Sequence, residues 1–254
     1  MRVLTYNIAG NRGRRRSGYL EEIARLIRET DADVVGLQEV VHYPHDPHPP
    51  EIVLGELAGM HAVYLPAHHA KRYTLGNAVL CREPIVETVS HELPHAFPER
   101  RILLEVSTHA SGLPVTVFCT HLVHLAHAGA RMRLVQATAV AKRLSTCWRP
   151  YVLIGDLNAS PNSREFAPLR EHSPDHTHLH GIHSWPARRP FVLFDHVWPG
   201  PGWTVERMEV LDLHVSDHRP LLAQLGWKGS PRFNIMPDEQ YLSEKGIGSG
   251  EFQI

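Results

Sequence analysis

Short apolar runs, each closed by polar or turn-forming residues, recur along most of this 254-residue chain. Runs of about four to eight aliphatic and β-branched residues bounded in this way predict strands. They fall near 2–8, 33–40, 62–65, 76–82, 101–107, 114–119, 151–155, 192–198, 203–210 and 220–225. Helical spacing is rarer. Residues 18–30 place Leu20, Ile23, Leu26 and Ile27 on one face, and residues 128–145 do the same with Met132, Val135, Ala139 and Leu144. A third helix is predicted over 162–171, where Ser160-Pro161-Asn162 supplies a start signal. The order is βαβ, a meander of strands, one long helix and then further strands. That order predicts an α/β fold of two packed sheets with helices outside.

Composition adds limits to this picture. Hydrophobic residues make up 43% and charged residues 21%, which suits one folded domain with a large core. No Pro/Gly/Ser-rich linker divides residues 1–228, which are expected to form one folded domain. Residues 229–254 carry Gly, Ser, Pro and charge with little periodicity and are expected to be a tail, disordered or laid across the body. The net charge of −1 excludes a protein that grips polyanions over its whole surface, so any hold on phosphate must come from local groups. Cys81, Cys119 and Cys147 are odd in number, widely spaced and without a CxxC pair, which is no disulfide framework and is compatible with a reducing compartment. The chain opens directly on strand-like residues, and no run approaches ~18 apolar residues, so a cytoplasmic location is expected.

Twenty histidines are unusual. His42, His45 and His48, and His172, His176, His178, His180 and His183, crowd two segments that could gather a transition metal. Their spacings match no helix or finger pattern, so Pro/His-rich surface loops are expected instead.

The chemistry lies at the strand ends. Asn7 closes the first strand, Glu39 ends Val34-Val35-Gly36-Leu37-Gln38-Glu39, and His121 ends Val115 to His121. Asp156 and Asn158 end Tyr151 to Asn158. Asp195 and His196 sit in Phe194-Asp195-His196-Val197, and Ser216-Asp217-His218 precedes the last strand. Taken alone, an Asn or Asp here is a turn residue and a His is a satisfied structural group. Taken together, strand ends on one sheet edge can converge on one cleft. Glu39, Asp217 and the Asn7 carboxamide are hard-oxygen donors suited to Mg²⁺ or Mn²⁺ rather than zinc. Phosphate-ester hydrolysis needs such a cation, a base for water and donors for the transition state. A His beside a carboxylate supplies an oriented imidazole.

These segments resemble the endonuclease/exonuclease/phosphatase superfamily. The resemblance is carried by Thr5-Tyr6-Asn7-Ile8, Asp33 to Val40, Leu75-Gly76-Asn77-Ala78-Val79-Leu80 and Thr120-His121-Leu122 with Arg133 and Gln136 downstream. Gly155-Asp156-Leu157-Asn158-Ala159-Ser160-Pro161 and Ser216-Asp217-His218-Arg219-Pro220 complete it, so that it spans about 2–226. It implies a four-layer α/β sandwich and a Mg²⁺-dependent hydrolase. It also implies Glu39 as principal metal ligand with Asn7 and Asp217 completing or adjoining the site. Asp156 would orient or deprotonate water, and Asn158 would hold that water or a phosphoryl oxygen. His121 and His218 would donate to phosphate, His218 being held by Asp195, and the base is Asp156 or His218. Arg101 matches a frequent family Arg at the substrate, although a solvated Arg at a strand start would look the same.

Ala9 and His121 depart from the abasic-site nucleases that resemble this fold, which have Asp and Tyr there. The departures favour the His-bearing branches, whose substrates are small molecules, lipid head groups or nucleic acid. Asn11-Arg12-Gly13-Arg14-Arg15-Arg16-Ser17 could touch a nucleic-acid backbone or be a solvated loop. In similar proteins the loop at His183-Ser184-Trp185-Pro186 borders the active site and shapes a leaving-group pocket, while a Trp there could equally anchor the loop to the core. The expected function is hydrolysis of a phosphodiester or small organophosphate by metal-activated water. A DNA or RNA endo/exonuclease and a catalytically silent binding scaffold are the alternatives.

Overall fold

The computed structural model of the chain describes residues 1–10, 18–95, 100–124, 129–173 and 177–233. In chain order the strands of the first half are β1 (Arg2–Asn7), β2 (Val34–His42), β3 (His61–His69), β4 (Thr74–Cys81) and β5 (Glu87–Leu93). Those of the second half are β6 (Arg101–Ala110), β7 (Leu113–His121), β8 (Tyr151–Asp156), β9 (Asp195–Pro199), β10 (Trp203–Val210) and β11 (Leu221–Trp227). The helices are α1 (Tyr19–Thr30), α2 (Pro50–Ala58), α3 (Gly129–Thr146) and the one-turn α4 (Ala167–Arg170).

Six strands form one sheet in the order β10-β11-β1-β2-β4-β3, and five form the other as β5-β6-β7-β8-β9. Each sheet is antiparallel except at one pair, β1 with β2 and β7 with β8. A parallel pair needs a crossover, and α1 and α3 supply the two. The inner faces pack Val3, Val34, Val117, Cys119, Val152 and Ile154 into the central core. Leu4, Tyr6, Val35 and Leu37 face the other way, against Ile23, Ala24 and Ile27 of α1 and Leu54 of α2. On the far side Arg143 of α3 lies over Phe118 and pairs with Glu105. The result is a four-layer α/β sandwich.

Two elements carry weak local signals. The α2 helix follows a Pro/His-rich stretch and starts on Pro50, and β5 is a polar edge strand with the sequence ETVSHEL. The buried face of α3 also differs from the predicted one. Arg133, Gln136, Ala137, Val140, Ala141 and Leu144 are buried, whereas Val135 is exposed. The face is turned by one residue, about 100°, because two polar groups point inward. Gln136 accepts the Val123 N–H (3.0 Å) and donates to the Pro94 carbonyl (2.9 Å), while Arg133 donates to the Val123 carbonyl and to Glu165. The helix thereby holds the segment that follows His121.

At the C-terminal end, Phe233 is buried against Tyr151 and Trp227, and Arg232 donates to the Leu144 and Ser145 carbonyls. The remainder of the expected tail, 234–254, lies outside the described residues. All three cysteines are buried and free. Among the described residues no helix is long and apolar enough to cross a membrane.

Strand alternation sends His196 of β9 outward, onto Phe166 and Trp198. Its Nε2–H donates to the Ala159 carbonyl (2.9 Å) and its Nδ1 accepts the Trp198 indole N–H (2.8 Å). Only the neutral ring satisfies both partners, and burial pushes its pKa from 6.5 down to about 4. Between those values the unfolded chain binds the proton and the folded chain does not. Stability is therefore full above about pH 6.5 and falls as pH drops toward 4, by about 3 kcal/mol. His196→Gln should flatten this slope, as measured by urea unfolding at about pH 7 and pH 4.5. An unchanged slope would place the acid sensitivity elsewhere.

Candidate active site

Alternation along β1 points Val3, Thr5 and Asn7 into the gap between the sheets, and alternation along β8 points Ile154 and Asp156 at them. The sheets approach closely here: a Cβ on Gly36 would strike Ile154. Gly155 has φ +146°, and a Cβ there would overlap the Thr120 carbonyl, so β7 and β8 can pair beside Asp156 only around glycine. The C-terminal ends of β1, β2, β7 and β8 and the N-terminal ends of β6 and β9 share this edge.

Asp156 is the hub. Its Oδ2 accepts the Asn7 Nδ2–H (2.9 Å) and lies 3.6 Å from Nε2 of both His121 and His218. Asn7 Nδ2 also donates to Glu39 Oε1 (3.2 Å), while Asn7 Oδ1 accepts the Ala9 N–H (3.0 Å) and so fixes which way the amide faces. Glu39 reaches the site through a bulge. Leu37 pairs with Ala78 and Val40 with Gly76, so Gln38 and Glu39 stand opposite Asn77 alone. Glu39 is left-handed there, with φ +55°. Asn158 is also left-handed (φ +56°). Its N–H donates to Asp156 Oδ1, and its amide donates to the Leu122 carbonyl and approaches His121 Nε2 at 3.0 Å. Burial, with the Asp195 charge added, raises Asp156 to about 7 against the opposing pull of His218.

Asp195 pairs with Asp156 across β8 and β9 and is fully buried. Its Oδ2 accepts the His218 Nδ1–H (2.8 Å) and the Ser184 hydroxyl (2.6 Å). Burial opposes charging of His218, yet the Asp195 and Asp156 carboxylates outweigh it and push the imidazole up to about 10. Asp156, Asp195 and His218 bring one ligand atom each within 4.8 Å. Within this grouping Asp195 Oδ2 already accepts from both Ser184 and His218, so its geometry is that of an oriented imidazole.

Glu39, His121, Asn77 and Arg101 line one small pocket. Arg101 is only 8% exposed, which excludes the solvated reading of it. Asp217 is tied to Asn7 through Ser216, whose hydroxyl donates to the Asn7 carbonyl (2.7 Å) and lies 3.4 Å from Asp217 Oδ1. The structure thus places the nine residues given roles by the resemblance along one edge, whereas His196, named with them at the strand ends, faces away from it. Asn77 and Ser184 stand within quoted motifs but were not singled out. For Asn77 the available signal was a carboxamide inside an otherwise apolar strand.

Trp185 packs on Phe191 and Phe194, and Phe194 lies 6.5 Å from the His218 ring, so the loop both anchors and borders the site. Residues 11–17 and His176 lie outside the described residues. His42 is committed to Glu51 (2.6 Å) and stacks on Tyr64. Among the described residues the histidine-rich segments gather no three-ligand cluster.

Comparison with known proteins identifies the fold and the family. The profile of the endonuclease/exonuclease/phosphatase family matches residues 4–218. An endonuclease/exonuclease/phosphatase from Beutenbergia cavernae superposes with a TM-score of 0.73 at 26% identity, over 91% of this chain and 72% of that one. The catalytic domain of human Nocturnin, with a bound sulfate anion, gives 0.70 at 19% identity over 89% and 94%. A mannosyl-6-phosphatase of Bacteroides thetaiotaomicron gives 0.69 at 17% identity over 89% and 100%. Asn7, Glu39, His121, Asp156, Asn158, Asp195 and His218 all fall inside the matched span, and the chain belongs to the endonuclease/exonuclease/phosphatase family, whose members are metal-dependent phosphoesterases or nucleases.

Proposed function

We propose that this protein is a Mg²⁺- or Mn²⁺-dependent phosphoesterase that hydrolyses a phosphodiester or small organophosphate by attack of water. The supporting observation is the convergence on Asp156 Oδ2. One amide and two imidazoles, from three separate strand ends, surround a single buried carboxylate oxygen.

The donor set fits a hard cation. Glu39 and Asp156 are held on one amide nitrogen with Asp217 on the turn beside Asn7, and carboxylate oxygens so gathered favour a positive charge near them. Glu39 is the principal ligand in this reading, with Asn7 and Asp217 beside it. The bound ion would offset negative charge on the phosphoryl oxygens.

The chain's own groups divide the remaining work. Asp156, whose Oδ2 gathers Asn7, His121 and His218, is the proton acceptor for water in this reading. The hydrogen bond from His218 Nδ1 to Asp195 supports Asp156 rather than His218 as the base in this reading. His218 and His121 donate to phosphoryl oxygens as charge develops, and Asn158 holds the nucleophile or an adjacent oxygen. Arg101 contacts the substrate from the pocket wall. Hydrolysis of bis-p-nitrophenyl phosphate with Mg²⁺ or Mn²⁺, and its loss in excess EDTA, tests the reading. Tight phosphate binding without turnover would make the protein a scaffold.

The near-zero net charge offers little attraction to a long polyanion, so a small diester should be preferred over duplex DNA. A duplex nuclease making about six phosphate contacts would lose roughly 10³-fold in binding between 50 and 200 mM salt, and a small-substrate enzyme far less. Comparing kcat/KM for a small diester with plasmid nicking across that range separates the two. Efficient nicking with a steep slope, abolished when Arg14, Arg15 and Arg16 become Ala, would make this a nuclease.

A further inference from the structure

We infer that Ser184 is a positioning residue for the His218–Asp195 pair, an inference that rests on the phosphoesterase reading. Ser184 is fully buried. A serine hydroxyl has one proton to give, and here it goes to Asp195 Oδ2 at 2.6 Å. The same hydroxyl oxygen faces the backbone N–H groups of Phe194 (3.3 Å) and Asp195 (3.4 Å), so both donors meet its lone pairs. With those directions occupied, the hydroxyl rotor has one orientation left, toward the carboxylate.

Asp195 Oδ2 therefore carries two donors, Ser184 and His218. Two donors on one oxygen set the rotation of the carboxylate, and with it the plane of the imidazole whose Nε2 approaches Asp156. With only His218 remaining, the carboxylate can turn and present either oxygen, and the ring loses its fixed direction. The backbone of this segment strengthens the same coupling. The Ser184 N–H donates to the Val192 carbonyl and the Ser184 carbonyl accepts the Arg219 N–H (2.8 Å). The Ala187 N–H donates to the Asp217 carbonyl (2.8 Å), and Arg219 Nε–H donates to the Ala187 carbonyl (2.6 Å). Residues 184–187 thus bridge the strand that bears Asp195 and the turn that bears His218.

Ser184→Ala should lower kcat for bis-p-nitrophenyl phosphate about 10- to 100-fold with KM little changed. Ser184→Thr, which keeps the hydroxyl, should recover most of the loss. Ser184→Cys keeps the volume but donates weakly and should not, and it serves as the second variant if Ser184→Ala fails to fold. In an Asp195→Ala background, removing the hydroxyl should cost nothing further, because its target is gone. A kcat within about twofold of wild type, or an equal loss in both backgrounds, would overturn the assignment.

A second readout is independent of turnover. The His218 Nδ1 proton, hydrogen-bonded to a carboxylate, should give a low-field NMR signal, assigned by its loss in His218→Gln. That signal should persist in Ser184→Thr and be displaced in Ser184→Ala. An unshifted signal in Ser184→Ala overturns the inference. Absence of hydrolysis by the wild type would instead count against the phosphoesterase reading.

Discussion

Glu39→Gln is expected to lower kcat/KM by about 10³-fold or more while leaving the fold intact, because the cation it would hold supplies several kcal/mol at the transition state. The variant keeps the length of the side chain and an oxygen, and removes only the charge. Metal affinity should fall with activity, read by titrating Mn²⁺ in parallel with rate. The backbone adds a second expectation. Glu39 sits in the left-handed region at a bulge, a conformation that costs a non-glycine residue about 1–2 kcal/mol. Glu39→Gly relieves that strain and also removes a carboxylate from the neighbourhood of Asp156. It should therefore melt no lower than wild type, or a few degrees higher, while being inactive. Full activity of either variant in excess EDTA would refute the metal role.

The second large effect concerns the buried pair. Asp195→Asn and His218→Gln should each reduce kcat by about 10²-fold or more, and the double variant should lose little beyond the worse single one. The reason is geometric. Asp195 Oδ2 meets His218 Nδ1 at 2.8 Å, and His218 Nε2 points on toward Asp156, so removing either member disables the same donor. Asp195→Asn replaces an acceptor with an amide that can present N–H to the ring, which favours the wrong tautomer. Losses that simply add would show the two residues acting apart. The single variants are also expected to differ in stability. Asp195→Asn removes a fully buried charge, whereas His218→Gln leaves that charge with the Ser184 hydroxyl as the remaining donor to Oδ2. His218→Gln should be the less stable of the two by thermal melting.

Much of this site is legible in one dimension because strands bury their apolar residues and end where polar residues begin. Asn7, His121, Asp156 and Asp195 each stand at the boundary of an apolar run, and a sheet edge collects such boundaries. Period-two alternation even separates Asp195, which faces the gap, from His196, which faces outward and is held neutral by Ala159 and Trp198. The sheets themselves were equally readable, except where the local signal was weak. The edge strand β5 buries too little to need an apolar run, and α2 begins at a proline inside a stretch that reads as loop.

By itself, then, the amino-acid order determined the strands other than β5, the two crossover helices and the polar residues that close them, since each follows from local burial and periodicity. Tertiary structure decided what those residues do to one another. It turned α3 by one residue, because Gln136 and Arg133 reach partners distant in sequence. It aimed Glu39 through a bulge whose register depends on β4, and it set Asn7 against Asp156 across 149 positions of chain. It also made Ser184 a donor to Asp195. The physical reason is the same throughout: direction, burial and hydrogen-bond partnership belong to pairs of segments, and pairing is fixed only when the two sheets close on each other.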